Sequence, residues 1–431
     1  MNINIIKKAL LTLAISLVLG PAAVSAAVLV QCKGDVDGDA VPDKCLLYKN
    51  DGTCKKNQDN PDYDPAVHCM HLSAGDGFAT MGDGSARYIF GFADITGLAT
   101  STQAERDAAV QAGMLAHEWP GPTIELEQGQ EFYLSLTNVG MMMRPDLFDP
   151  HTVHFHGYPQ SSTVFDGLPE SGLSIGMGAT LTYYYKLNDP GTYMYHCHVE
   201  ATEHMQMGML GNLYIKAGQN KLADGTDLNG FAHATGNQYA YNDGDGSTYY
   251  DVDYPIQLGS FDSGFHDASE NTQTLPFALM VDNYPMINGR GYPDTVDPRE
   301  DTFPPTEGSN NSYVPTSQPV SSLITANAGD KVLLRISNLA ITRFYTLQSL
   351  GIPMQVVGKD AKQLRTADGA TNLYYDTNSV TLGGGESYDV ILDVPATAAS
   401  EDVFYLYTSN LNYLSNDTEE FGGMMTEIVI N

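Results

Sequence analysis

Basic residues are scarce in this chain of 431 residues: 21 Lys and Arg stand against 52 Asp and Glu, a formal charge of -31 at pH 7. A surface of that sign repels a phosphate backbone, which excludes nucleic acid as a partner. Beyond the amino-terminal segment no apolar run reaches the ~18 residues that a membrane-spanning helix needs. Tryptophan occurs once, against 42 Gly and 26 Tyr, and no stretch sustains the helical apolar period, which excludes a coiled coil or helical bundle. Disorder is excluded as well, because 42% of the residues are hydrophobic and only 17% are charged. Histidine is missing from everything after His266.

What is present begins with an address. Lys7 and Lys8 precede an apolar run from Ala9 to Leu19, and Val24-Ser25-Ala26 has the small-residue form of a cleavage site. Residues 1–26 therefore read as a signal peptide, and the protein as exported, to the periplasm or beyond the cell. At roughly 150 residues per domain, the remaining length fits two to three domains.

Cysteine is rare, with 5 in the chain, and unevenly placed. Cys32, Cys45, Cys54 and Cys69 lie close together, so an oxidising compartment would let them form two disulfides, with three connectivities open. Residues 28–80 thus read as a small, loop-rich, disulfide-stapled module. Within it Asp35, Asp37, Asp39 and Asp43 alternate around Gly38, a spacing that lets hard oxygen ligands converge on calcium. The run resembles the calcium loops of thrombospondin type 3 repeats. His68, Cys69 and His71 read as a disulfide half flanked by two surface histidines.

The pattern then changes to short alternating strands between Gly, Pro and Asn turns, as in a β-sandwich. Two such regions, 85–217 and 251–431, flank a Gly/Asn/Asp-rich linker at 218–250, and a Pro/Ser/Asn-rich long loop is expected at Asp294–Pro319. The fold class is all-β.

The chemistry concentrates in two clusters, His151-Thr152-Val153-His154-Phe155-His156 and His196-Cys197-His198, the second continuing to His204 and Met209. Side chains on a strand alternate faces, so His154 and His156 share one face, as do His196 and His198, while His151 and Cys197 project the other way. A thiolate, two imidazoles and a weak thioether form the trigonal blue-copper site. Cys197, His151, His204 and Met209 supply that set, and the four remaining histidines suit a second copper centre. Tetrahedral zinc is the chemical rival, but it explains neither the alternation nor the methionine.

These residues carry a family resemblance. Pro120-Gly121-Pro122-Thr123-Ile124, His154-Phe155-His156-Gly157, Phe165-Asp166-Gly167-Leu168-Pro169 and Gly191-Thr192-Tyr193-Met194-Tyr195 resemble segments of the multicopper oxidases. Met286-Ile287-Asn288-Gly289-Arg290-Gly291 and Gly329-Asp330 with Arg335–Asn338 resemble the family's second domain, so the likeness covers about 85–431. It implies two cupredoxin-like Greek-key β-sandwiches behind the amino-terminal module. It also implies a type 1 copper on His151, Cys197, His204 and Met209, and type 2/type 3 coppers on His154, His156, His196 and His198. Asp166 then resembles the acidic residue that relays protons near that cluster. The implied reaction is one-electron oxidation of a small reductant, a metal ion or a phenol, with electrons passing through Cys197 to the second centre and on to O2.

The likeness has a gap. The family's cluster draws histidines from two domains, and the second domain here offers no such set. A homo-oligomer or a partner protein supplying the remaining ligands would close the gap. The alternatives are a non-catalytic blue-copper carrier or copper-resistance protein, and an enzyme similar to copper nitrite reductase. Met141-Met142-Met143, Met205, Met207, Met424 and Met425 add soft sulfur that favours Cu(I), although methionine also fills cores readily.

Overall fold

The computed structural model describes residues 29–431, apart from 48, 50–52, 82–84, 160–161, 297–319 and 418. The expected signal peptide at 1–26 and most of the expected 294–319 loop lie outside the described residues. No helix among the described residues is long and apolar enough to cross a membrane.

The first sandwich is built from β1 (Val67–Thr80), β2 (Ala86–Asp94), β3 (Gly121–Glu127), β4 (Glu131–Gly140), β5 (His154–His156), β6 (Thr180–Lys186), β7 (Gly191–His196) and β8 (Leu210–Lys216). One sheet runs β2-β1-β4-β6 and the other β3-β8-β7-β5. Alternation explains the pairing. In β4 Phe132, Leu134 and Leu136 face inward, and in β6 Tyr183 and Tyr185 do, meeting Phe155 and Tyr195 from the other sheet in one core. Phe155 stacks on Tyr185 with ring centroids 3.9 Å apart. Each such ring contributes about 1.5–3 kcal/mol by leaving water.

Two sequence-drawn boundaries move. The amino-terminal module was expected to extend to residue 80, with the first sandwich starting at 85. Instead β1 pairs in parallel with β4 from Val67 opposite Glu131, and antiparallel with β2, so the stapled module ends before Val67. Cysteine spacing drew the boundary past Cys69. That residue sits inside β1 and bonds to Cys32, fastening the module to the sheet, while Cys45 bonds to Cys54. His71, expected at the surface, is fully buried in β1, with its Nε2 2.7 Å from Thr137 Oγ1.

The 218–250 segment is likewise no loose linker. Ala240, Tyr241 and Tyr250 are buried against Leu333, Val357 and Ile391 of the second region. Arg365 donates to the Asp243 carbonyl and the Asp245 carboxylate, holding the Gly/Asp-rich turn down.

The second region is again two sheets. The larger is centred on Val252–Phe261, Lys331–Asn338, Ser387–Asp393 and Met354–Lys359; the other is centred on Met425–Ile430, Val403–Thr408 and Tyr345–Leu350. Met425–Ile430 alternates buried and half-buried residues without a break, as a strand over a core must. Polar contacts join the two sandwiches: Thr192 in β7 donates to Asp389 at 2.6 Å, and the Arg335 guanidinium lies 4.8 Å above the Tyr214 ring in β8. This interface brings the loop at 339–344 and the turn at Gly384–Gly385 to the end of β5 and β7.

Candidate metal centre

The register of β5 on β7 builds the site. The strands are antiparallel, with His154 opposite His196, Phe155 opposite Tyr195 and His156 opposite Met194. Directly opposed residues share a face, so Phe155 and Tyr195 enter the core while His154, His156 and His196 point out of it. At the end of β7 the next residue, Cys197, turns to the core side and is fully buried.

On that inner side one ligand atom each from His151, Cys197 and His204 falls within 4.8 Å of the others. Cys197 Sγ lies 3.3 Å from His204 Nδ1 and accepts from the Thr152 amide at 3.4 Å. His151 comes from the loop before β5, held by mutual backbone bonds to Ile175 of 3.0 and 2.9 Å. His204 comes from the short helix Ala201–Met207, with the Phe90 ring edge-on to it at 5.8 Å. The buried Met209 is tied to both by its backbone: its amide donates to His204 O at 2.8 Å and its carbonyl accepts from Cys197 N at 3.0 Å.

Charge is distributed as a metal site requires. Burial alone would push the Cys197 thiol up, but the His204 imidazole beside it and the hydrogen bonds from His204 and Thr152 bring it below its ordinary value. His204 is opposed by burial yet raised to about 10 by the Cys197 sulfur and the Asp149 carboxylate. Asp149 Oδ2 is 3.9 Å from His204 Nε2, too long for a hydrogen bond but close enough for attraction. Burial holds His151 neutral, and both of its ring nitrogens are buried without a hydrogen-bond partner. Orphaned buried nitrogens are costly, and a soft metal ion on the three side chains would remove that cost. The donor set fits copper.

On the outer face, ligand atoms of His154, His156 and His196 also fall within 4.8 Å of one another. His198 stands beside them, its ring 5.4 Å from that of His154 and 5.6 Å from that of His196. His196 is pinned by Nδ1 to the Cys197 carbonyl at 2.9 Å, and His154 by Nδ1 to the Asp166 carbonyl at 2.6 Å. Both rings therefore turn Nε2 outward. Burial lowers His154 and His156, and takes His196 down to about 3, so these imidazoles are neutral, the form that binds metal. Asp166 also places its carboxylate 3.6 Å from His154 Nδ1.

The four rings open into a chamber of about 530 Å³ whose far wall is the second sandwich: Leu339 to Phe344, Gly384 and Gly385. Gly385 has φ +90°, and a Cβ there would stand 2.8 Å from His156 Nε2, so the close approach needs glycine. Asp149 and the whole second-sandwich wall went unread in the sequence. Asp149 carried a local signal, its position two residues before His151; the wall carried none.

Asp35, Asp37 and Asp39 bring one oxygen each within 4.8 Å. Asp43 stands outside that triple, its carboxylate accepting from the Val36 amide at 2.9 Å. Burial and the neighbouring carboxylates raise Asp39 to about 6, against the amide hydrogen bond from Val41.

Comparison with known proteins agrees with this architecture. Two family models, both described as multicopper oxidase, match residues 99–220 and 263–431. The multicopper oxidase MmcO of Mycobacterium tuberculosis is 25% identical over 281 residues, 63% of this chain and 46% of that protein. Copper resistance protein A of Escherichia coli is 25% identical over 68% of this chain and 44% of its own length. The chain thus spans less than half the length of these two relatives. Among solved structures, a blue copper oxidase from Nitrosomonas europaea superposes with a TM-score of 0.57 at 20% identity, covering 84% of this chain and 86% of that one, which shows the cupredoxin-like fold. With both sandwiches matched by the same family, and a buried Cys–His pair set behind a four-histidine face, the chain belongs to the multicopper oxidase family.

Proposed function

We propose that this protein is a copper-dependent oxidase that takes single electrons from a small reductant at the inner group and delivers them to O2 at the outer one. The observation that supports this best is the back-to-back placement. Cys197 of the inner group is bonded in sequence to His196 and His198 of the outer group, and the His196 Nδ1 hydrogen bond to the Cys197 carbonyl adds a second link. His151, Cys197, His204 and Met209 would hold the type 1 ion, and His154, His156, His196 and His198 their share of a type 2/type 3 centre. Copper bound in these places would supply the one-electron redox chemistry.

The chain's own residues set the conditions. Asp149, against His204 Nε2, stabilises positive charge on that side, which would favour the oxidised form of an ion held there. Asp166 can hold a proton at its carboxylate within reach of His154 and the chamber. The four outer histidines are half of the family's set; a second copy or a partner protein would supply the remaining ligands, and Phe344 is 73% exposed at the chamber's rim. The reductant is a metal ion or a phenol. Calcium on Asp35, Asp37 and Asp39 would stiffen the amino-terminal module. The two disulfides suit an exported protein.

Oxygen uptake with a phenol, Cu(I) or Mn(II) tests the reading. Sustained uptake by copper-loaded protein, abolished in Cys197→Ser, supports an oxidase. A single reduction of the protein that then stops would establish an electron carrier instead.

A further inference from the structure

The chamber reverses the charge of the protein around it. The formal charge of the chain is -31, yet no Asp or Glu lines the chamber. Besides the four histidines its wall is Ala201, Met205, the loop 339–344 and the Gly384–Gly385 turn. Two carboxylates act on the rings without lining the chamber, Asp166 at 3.6 Å from His154 Nδ1 and Asp360 near His156, while Glu386 beside the Gly384–Gly385 turn accepts from the Gly383 amide and pairs with Lys359. The charged side chain that does enter the wall is Arg343. Its Nε is buried without a hydrogen-bond partner, and among the described residues no hydrogen bond or ion pair engages its guanidinium. Arg343 is half-buried, whereas the more deeply buried guanidiniums are paired: Arg144 holds Asp146 at 2.7 Å, and Arg335 holds Asp253 at 2.8 Å. In a chain with 52 carboxylates, this arginine has none as a partner among the described residues, and beyond its influence on Tyr345 its charge is open to an occupant from outside.

We propose that the chamber is an anion-binding site that takes a small planar oxyanion, with Arg343 as its determinant. A guanidinium presents parallel N–H donors that match two oxygens of one ligand. The apolar walls supplied by Leu339, Ala340 and Ile341 lower the local dielectric and so strengthen that attraction. The chamber, at about 530 Å³, holds such an ion together with several waters. The anion would lie between Arg343 and the histidine face, so a ligand or product of the outer centre could be drawn in or held there by charge. The inference stands on Arg343 and the chamber walls and does not require copper on the histidines.

Calorimetric titration of the full chain with formate and with nitrite, in copper-free and copper-loaded forms, tests it. Binding to the copper-free wild type is expected, weakened about tenfold or more in Arg343→Gln, with Arg343→Lys in between because a point charge lacks the fork. The variants should keep the wild-type melting temperature and mass in solution, since no contact within the chain is lost. Equal affinity in wild type and Arg343→Gln would overturn the proposal, as would no binding to the copper-free wild type. A change of oligomer mass in Arg343→Gln with anion affinity unchanged would also overturn it, assigning the arginine to a carboxylate of a second copy. Failure of oxygen uptake leaves this result untouched, so the two readings fail separately.

Discussion

Gly208→Ala is the substitution whose cost can be worked most directly from the site. Gly208 ends the helix Ala201–Met207 and leads to Met209, so it spans the short link between His204 and the residue expected as the axial ligand. Its φ is +125°, and its amide donates to the carbonyls of His204 and Met205 at 3.0 and 3.2 Å. A Cβ would fall 2.2 Å from Trp119 Cδ1 and 2.6 Å from the Phe90 carbonyl oxygen. The indole is fully buried and packed edge-on to Phe261 at 5.3 Å, so it cannot swing aside. The positive φ costs about 1–2 kcal/mol for a residue with a side chain, and forcing a methyl into a filled core about 1–3 kcal/mol more. At about 2–4 °C per kcal/mol the melting temperature should fall on the order of 10 °C. Two other glycines separate the causes. Gly225 has φ +78° with nothing near its would-be Cβ, and Gly176 has open space and no positive φ. Differential scanning calorimetry should rank Gly176→Ala near wild type, Gly225→Ala slightly lower and Gly208→Ala far lower, with reduced copper uptake. A Gly208→Ala melt matching that of Gly225→Ala would refute the reasoning.

The remaining predictions concern other parts of the molecule. Burial raises Glu118 to about 8 from an ordinary value of 4.5, and its Oε2 has no hydrogen-bond partner. The folded state therefore keeps a proton that the unfolded state has lost, and stability falls by up to about 1.4 kcal/mol per pH unit between those values. Glu118→Gln should flatten that part of the melting-temperature profile, and an unchanged slope would refute the assignment. Opening Cys32–Cys69, which spans 37 residues, should cost about 4 kcal/mol and opening Cys45–Cys54, which spans 9, about 2.5 kcal/mol, so denaturant midpoints of the paired Cys→Ser variants should fall in that order. Asp166→Asn keeps the carbonyl that fixes His154, so copper content should hold while kcat drops at least tenfold, the scale of a lost proton relay. Loss of copper in that variant would make Asp166 a structural support only.

How much was legible follows from which interactions are local. The alternation His154-Phe155-His156 against His196-Cys197-His198 is a local pattern, and the β5–β7 pairing puts His154 opposite His196 with Cys197 buried just beyond the strand end. Strand runs such as Tyr388–Leu392 also declare themselves, because apolar residues in a buried strand leave a pattern. The start of the first sandwich did not, since β1 contains a disulfide cysteine and two histidines that mimic the stapled module. The 218–250 segment misled because its Gly and Asp residues signal turns, whereas its burial rests on tyrosines meeting a sheet contributed by residues 333–391. Arg343, Gly385 and Asp149 acquire meaning only through contacts fixed by the tertiary fold.

One strand end is proposed to hold copper on both of its faces. Elemental copper analysis of the purified full-length chain, taken with its mass in solution and its visible spectrum, tests this most directly. More than one copper per chain is expected, with an intense blue band that disappears in Cys197→Ser and an assembly larger than the monomer when the outer face is filled. Five coppers per dimer, two type 1 ions plus a shared cluster of three, would fit two copies completing one centre. A single colourless metal ion per monomeric chain would contradict the account.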